Sequence, residues 1–403
     1  MSLFKYMNRA EYGWAMVAIA FTLSAISFGM LSSVGIFMKP LQVEFGWSRG
    51  SLSFGYSAIT LSTAVAGLLW SFIADKYGTR WIVLFGALTL GIPLLLLSRM
   101  ETITEFYLYY LLFGAFGHAA VSSPLYANIG LWFKKNVGLA LGLTVAGSAF
   151  GQGTIPYITQ YLIDEYGWSM AYSKLGVAYM IAAIPIALLV RDSPSRTTIK
   201  SELAPNQRDG KPFLVKPKTA IAWIAFAVMF CCIAMSAPIV HLVPLLTDSG
   251  ISSEEAVTIF LCLMITGAFG RIIGGKLSDQ IGALNSYFCM SVIQTMVIFT
   301  FPHLENITII YLVSMLFGLS FSAVMASFIV CVRMMVPARL LARGIAVVGM
   351  FGWFGMGLGG WQAGYIFDIT GNYNWSFGLG SIAGIINLVI LLGFYYKIKQ
   401  LNK

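Results

Sequence analysis

A chain of 403 residues that is 58% hydrophobic and only 10% charged is not a soluble globular domain, in which about a quarter of residues are charged. Its net charge of +9 does not argue for nucleic-acid binding, because the basic residues fall in turns between apolar runs. Five cysteines (Cys231, Cys232, Cys262, Cys289 and Cys331) lie inside apolar segments without metal or redox spacing, so they are packing residues and no metal or cofactor is expected.

Apolar segments long enough to cross a bilayer recur twelve times, near 14–38, 51–74, 81–98, 105–132, 137–162, 170–190, 219–247, 254–278, 285–302, 308–332, 343–367 and 375–396. The first lacks a cleavage-type end and is expected to be a retained helix. With both termini cytoplasmic, 20 of the 25 Lys and Arg residues fall on the inner side. Only Lys39, Arg49, Arg99 and Lys174 fall in outer loops. That bias sets the orientation. The expected fold class is an all-α membrane protein of twelve transmembrane helices in two six-helix bundles.

In chain order, the first segment carries Ser32 and Ser33, which either line a pathway or allow close helix packing. The fourth holds His118 at its centre, with Ser122 and Tyr126 following at i+4 and i+8 on one helix face. Imidazole titrates near neutrality, so His118 is a proton-coupling candidate; a neutral histidine bonded to a neighbouring helix is the plainer reading. The stretch 191–218, with three prolines before Lys216, reads as a cytoplasmic linker between residues 1–190 and 219–403. His241, between Pro238 and Pro244, is a second proton-coupling candidate on a bent helix.

The eighth segment carries Arg271, roughly 12 Å inside the hydrocarbon when counted back from Asp279. A charge at that depth costs ~2.5–3.5 kcal/mol on insertion scales, so it is expected to face a protein interior and to meet an anion. A guanidinium fork suits a carboxylate; the alternative is an arginine that snorkels or braces a helix end. Gly270 to Lys276 has P-loop spacing, but Leu277 stands where Ser or Thr is needed and no strand precedes it. Phe328, Trp353, Phe354 and Trp361 are candidate walls for a short acyl chain, although aromatics at helical spacing more often face lipid or core.

The halves repeat. An offset of 204 residues relates Asp75 to Asp279, Gly78 to Gly282, Gly151 to Gly355, Gly153 to Gly357, Tyr161 to Tyr365 and Asp164 to Asp368. This parallel duplication is that of a two-bundle transporter with a central site between the halves.

Asp75-Lys-Tyr-Gly-Thr-Arg80 resembles the loop signature of the major facilitator superfamily, and Gly275-Lys-Leu-Ser-Asp279 is its echo. Glu11-Tyr-Gly-Trp14, Val34-Gly-Ile-Phe-Met-Lys39 and the run from Trp132 to Gly151 are similar to motifs of the monocarboxylate transporter family. The resemblance implies that Arg271 is the carboxylate-binding arginine of the eighth helix. It also implies that the family's first-helix lysine falls on Ser32 and its aspartate, one turn before the arginine, on Gly267. The long central loop and C-terminal tail of the family's eukaryotic members are missing, so a bacterial protein of the inner membrane is expected.

The expected function is secondary active transport of a small monocarboxylate such as lactate or pyruvate, as proton-linked symport by alternating access. The alternative is a facilitator-type exporter or exchanger of another organic anion or amphiphile. No enzyme is expected. Expected partners are the organic anion, a proton and membrane lipid; nucleic acid is not, and the monomer is expected to suffice. The expected substrate-binding set is Arg271, His118, Tyr126, Ser32, Ser33, Phe328, Trp353 and Phe354. Asp75, Arg80 and Asp279 are expected to act in gating, by bonding backbone N–H groups or a basic partner.

Overall fold

The computed structural model describes residues 9–133, 137–194 and 215–401, and within them the chain is helical with no strand. The linker expected at 191–218 lies largely outside the described residues. Twelve α-helices follow in order: α1 (Arg9–Phe45), α2 (Arg49–Tyr77), α3 (Thr79–Leu97), α4 (Ile103–Leu112), α5 (Ala119–Trp132), α6 (Val137–Leu188), α7 (Pro217–Asp248), α8 (Ser253–Ile281), α9 (Ala283–Thr300), α10 (Ile307–Met335), α11 (Ala338–Thr370) and α12 (Asn374–Leu401). A π-helical turn, Phe113–His118, joins α4 to α5.

Ten of these helices are by themselves long and apolar enough to cross a membrane. The difference from twelve segments has two local causes. The fourth segment is divided by the π-turn into α4 and α5, neither long enough alone. The fifth and sixth follow one another within α6 as two helices that meet at a kink, where Gly167 has the non-helical angles φ 77° and ψ 166°. Twelve spans are therefore present.

Among the described residues left-handed backbone occurs at six glycines, and they form three pairs at the repeat offset: Gly46 with Gly250, Gly78 with Gly282, and Gly167 with Gly371. At these tight turns a Cβ would crowd the following carbonyl, so glycine is the residue that fits. The duplication thus extends from residue types to backbone conformation. Packing repeats too. Gly151 of α6 lies against the backbone of Ala25 in α1, and Gly355 of α11 against that of Met229 in α7, again 204 residues apart. Small residues let helix backbones approach where lipid supplies no hydrophobic drive.

Two compact units result. One comprises Met1–Ser33 with Leu61–Glu202, the other Val34–Thr60 with Leu203–Lys403. In the first, α3 packs on α6, the π-turn and α5; in the second, α8 packs on α10, and α7 on α11 and α12. Helices α1 and α2 run unbroken from one unit into the other, so that the α1–α2 hairpin, residues 34–60, is part of the second unit.

Candidate functional site

In the first unit a row of hydroxyls on α1 meets polar groups of neighbouring helices. Ser27 Oγ lies 2.6 Å from His118 Nδ1, Ser32 donates to Gln152 Oε1 at 3.3 Å, and Ser33 bonds Thr159 at 3.1 Å and the Gly29 carbonyl at 2.9 Å. All are buried. His118 closes the π-turn, whose extra residue per turn re-aims the ring, and Phe28 meets it edge-on at 4.5 Å between centroids. Ser122 is occupied by the His118 carbonyl at 2.8 Å, and Tyr126 is half-buried on α5. His118 is thus bonded to α1 through Ser27, whereas Ser32 and Ser33 face α6, through Gln152 and Thr159.

In the second unit Arg271 sits on α8, half-buried. Its helical face is that of Phe260, Met264, Gly267, Gly274 and Ser278, all buried, at separations of three, four, seven and eleven residues. The exposed apolar residues Ile265, Phe269, Ile272 and Ile273 occupy the other side of the helix. The cation therefore points away from the lipid-facing surface. Gly267 lies against α10: a Cβ there would come within 2.7 Å of Ser322 Oγ, so a carboxylate at this position would have to displace Ser322. Phe328 on α10 and Trp353 and Phe354 on α11 are half-buried, whereas Trp361 is exposed and stacks on Tyr365.

The residues expected to gate are distributed differently among themselves. Asp279 is exposed at the end of α8, and the side chain of Asp75 lies outside the described residues. Arg80 donates to the Leu188 carbonyl at 3.4 Å and lies over the Trp81 ring. The N–H of Thr79 at the start of α3 is bonded by Asp192, at 2.6 Å.

A third cluster was not legible in the sequence. Lys39 and Arg49, counted there as loop cations, are helical, and Arg49 is only 5% exposed. The Arg49 guanidinium grips both carboxylate oxygens of Asp248 at the end of α7 and donates to Tyr373 Oη at 2.9 Å. It also stacks over the Phe367 ring at 4.0 Å. Lys39 Nζ reaches the same Asp248 carboxylate at 2.9 Å. Asp368 caps α2, accepting from the N–H groups of Arg49 and Gly50 at 2.9 and 2.7 Å. His241 lies behind, with Nδ1 at 3.1 Å from Tyr373 Oη and Nε2 at 2.8 Å from the Gly360 carbonyl. The available signal was charges of opposite sign beside two repeat-related turns, Gly46 and Gly250.

Two apolar grooves, one lined by Leu284, Phe288 and Leu391 and one by Phe85, Ile92 and Phe116, contain none of these residues. No group of histidine, cysteine or carboxylate side chains able to hold a metal occurs among the described residues.

The family model for the Major Facilitator Superfamily matches residues 17–359. Monocarboxylate transporter 2 of Homo sapiens is 23% identical, over 97% of this chain and 87% of its own. Monocarboxylate transporter 13 of Bos taurus is 25% identical, over 95% and 90%. The agnestins efflux protein AgnL12 of Paecilomyces divaricatus is 25% identical, over 63% and 57%. The crystal structure of a bacterial homologue of the human lysosomal transporter Spinster, inward-facing and unoccupied, matches with a TM-score of 0.72, 97% coverage of both chains and 15% identity. That likeness establishes the fold alone.

Proposed function

The chain belongs to the major facilitator superfamily, and on that premise we propose that it carries a small monocarboxylate, of the lactate or pyruvate kind, by proton-linked symport. The observation that carries this reading is the placement of Arg271, a guanidinium on the buried face of a membrane helix and opposite its lipid-facing side chains. A carboxylate fits its fork with two parallel hydrogen bonds, strengthened by low dielectric. Neutralising the cation with substrate lowers the cost of closing protein around it, so occupancy favours the conformational step. The likeness to monocarboxylate transporters, at 23–25% identity, supports the substrate class.

In this reading Ser32, Ser33 and Tyr126 offer hydroxyls along the path, and Phe328, Trp353 and Phe354 contact the acyl chain. The proton travels on His118 or His241. The Lys and Arg distribution supports cytoplasmic termini, the inner membrane of a bacterium is the proposed location, and one copy suffices. Asp75, Arg80 and Asp279 bias the inward and outward states.

Uptake of labelled L-lactate into proteoliposomes, with and without an inwardly acidic gradient, tests the proposal. Gradient-driven accumulation is the expected result, whereas exchange without accumulation would replace symport by antiport. A second reading, export of another organic anion, draws on the likeness to the agnestins efflux protein. Absence of lactate flux, with flux of a larger carboxylate, would favour it.

A further inference from the structure

The hydrogen-bond polarity around His241 can be read atom by atom. The Gly360 carbonyl only accepts, so His241 Nε2 carries a hydrogen. Arg49 only donates, so Tyr373 Oη accepts from it and turns its own hydrogen toward His241 Nδ1. Nδ1 is then an acceptor and the imidazole is neutral. The chain of donors runs from Arg49 to Tyr373 to His241 to Gly360, and at its head Arg49 is locked on Asp248. His241 is fully buried and Tyr373 nearly so.

A proton on Nδ1 does not fit this arrangement. Tyr373 Oη would face two donors, its own hydrogen would lose its acceptor, and a second cation would stand beside Arg49. Burying an unpaired donor is unfavourable, and burying a poorly compensated charge is more so. The charged and titratable groups around His241 are Asp248 on its own helix, Arg49 on α2, Lys39 on α1, Asp368 on α11 and Tyr373 before α12. The hairpin they hold belongs to helices that continue unbroken into the other compact unit. Motion of one unit against the other therefore requires either bending α1 and α2 or undocking the hairpin.

We propose that the α1–α2 hairpin is latched onto α7 and α11 by Arg49 and Asp248, and that the latch closes on neutral His241 and opens when His241 is protonated. An imidazole released from this pocket takes up a proton near neutrality, so the open latch gains over the closed one as pH falls. The inference deepens the transport reading and rests on it for alternating access, but not on which anion is carried.

The test uses a cysteine at Ser53, a buried α2 residue one turn from Arg49, and follows its maleimide labelling in the purified full chain without substrate, corrected for the native cysteines. Labelling of S53C, divided at each pH by its rate in the denatured chain so that the change in thiolate fraction cancels, should rise several-fold from pH 7.5 to pH 5.5. Adding His241→Gln, which keeps a donor for Gly360 but cannot take up the proton, should hold labelling slow at both pH values. Tyr373→Phe, which keeps the imidazole and removes the hydroxyl between it and Arg49, should flatten the rise. Asp248→Asn should give fast labelling throughout, and the exchanged pair R49D/D248R should slow it again. A pH rise that survives H241Q would remove His241 from the latch, and slow labelling in D248N would remove the latch itself. Because no substrate is present, these outcomes are separate from the lactate result.

Discussion

Arg49 and Asp248, 199 residues apart, form a two-pronged ion pair in which the guanidinium is buried and the carboxylate is 28% exposed. Lys39 shares that carboxylate and Tyr373 shares the guanidinium, so neither charge rests on a single partner. Removing Asp248 leaves the Arg49 guanidinium buried without a carboxylate, whereas removing Arg49 leaves Asp248 partly in water and still paired to Lys39.

Asp248→Leu should therefore lower stability by up to ~3–5 kcal/mol, and Arg49→Met by less, because Asp248 keeps Lys39 and contact with water. The double replacement should lose less than the sum of the two. Thermal unfolding of the four proteins in detergent measures the coupling, and strict additivity would mean that the pair is screened by water.

Arg271 is expected to act through its fork as much as through its charge. Arg271→Ala should abolish anion uptake with folding intact. Arg271→Lys should retain slow uptake with a raised KM, because an ammonium replaces two fixed bonds by a point charge. Equal activity of the lysine variant and the parent protein would show that only the field of the cation matters.

Two glycine-to-alanine changes should have opposite signs. Gly282 has open space around it but a φ of 88°, so Gly282→Ala should cost about 1–2 kcal/mol through backbone strain alone. Gly142 is inside α6 with nothing within 4 Å of an added Cβ, so Gly142→Ala should stabilise by up to ~1 kcal/mol. Melting temperatures that shift in the same direction would contradict this.

His118 offers a control for the latch. Its Nδ1 is taken by Ser27 and it belongs to the other compact unit. Uptake by His118→Gln should keep a pH dependence if His241 is the sensing group, and should lose it if His118 carries the proton. Initial rates between pH 5.5 and 8 separate the two.

Much of the fold is legible without coordinates, because a bilayer imposes a simple rule: backbone polar groups must be satisfied within helices, so length and apolarity mark the spans. The duplication and the exceptional character of Arg271 follow from composition and spacing in the same way, while the family is read from the resemblance of stretches such as residues 75–80 and 132–151 to its motifs. The helical face of Arg271 also follows, since 3.6 residues per turn place it among Met264, Gly267 and Gly274. Tertiary structure decided the rest. The repeat marks Gly78 and Gly282 as residues of interest, but not that they adopt positive φ, nor that Gly167 does so at the kink between the fifth and sixth spans. Above all, Arg49 looks like any loop cation in a topology count. Its partners, Asp248, Tyr373 and Phe367, are some 200 to 324 residues distant, and only packing brings them within hydrogen-bond reach. Local pattern reports what a residue's own helix requires; a hydrogen bond between distant helices depends on which faces meet, and that is set by the whole fold.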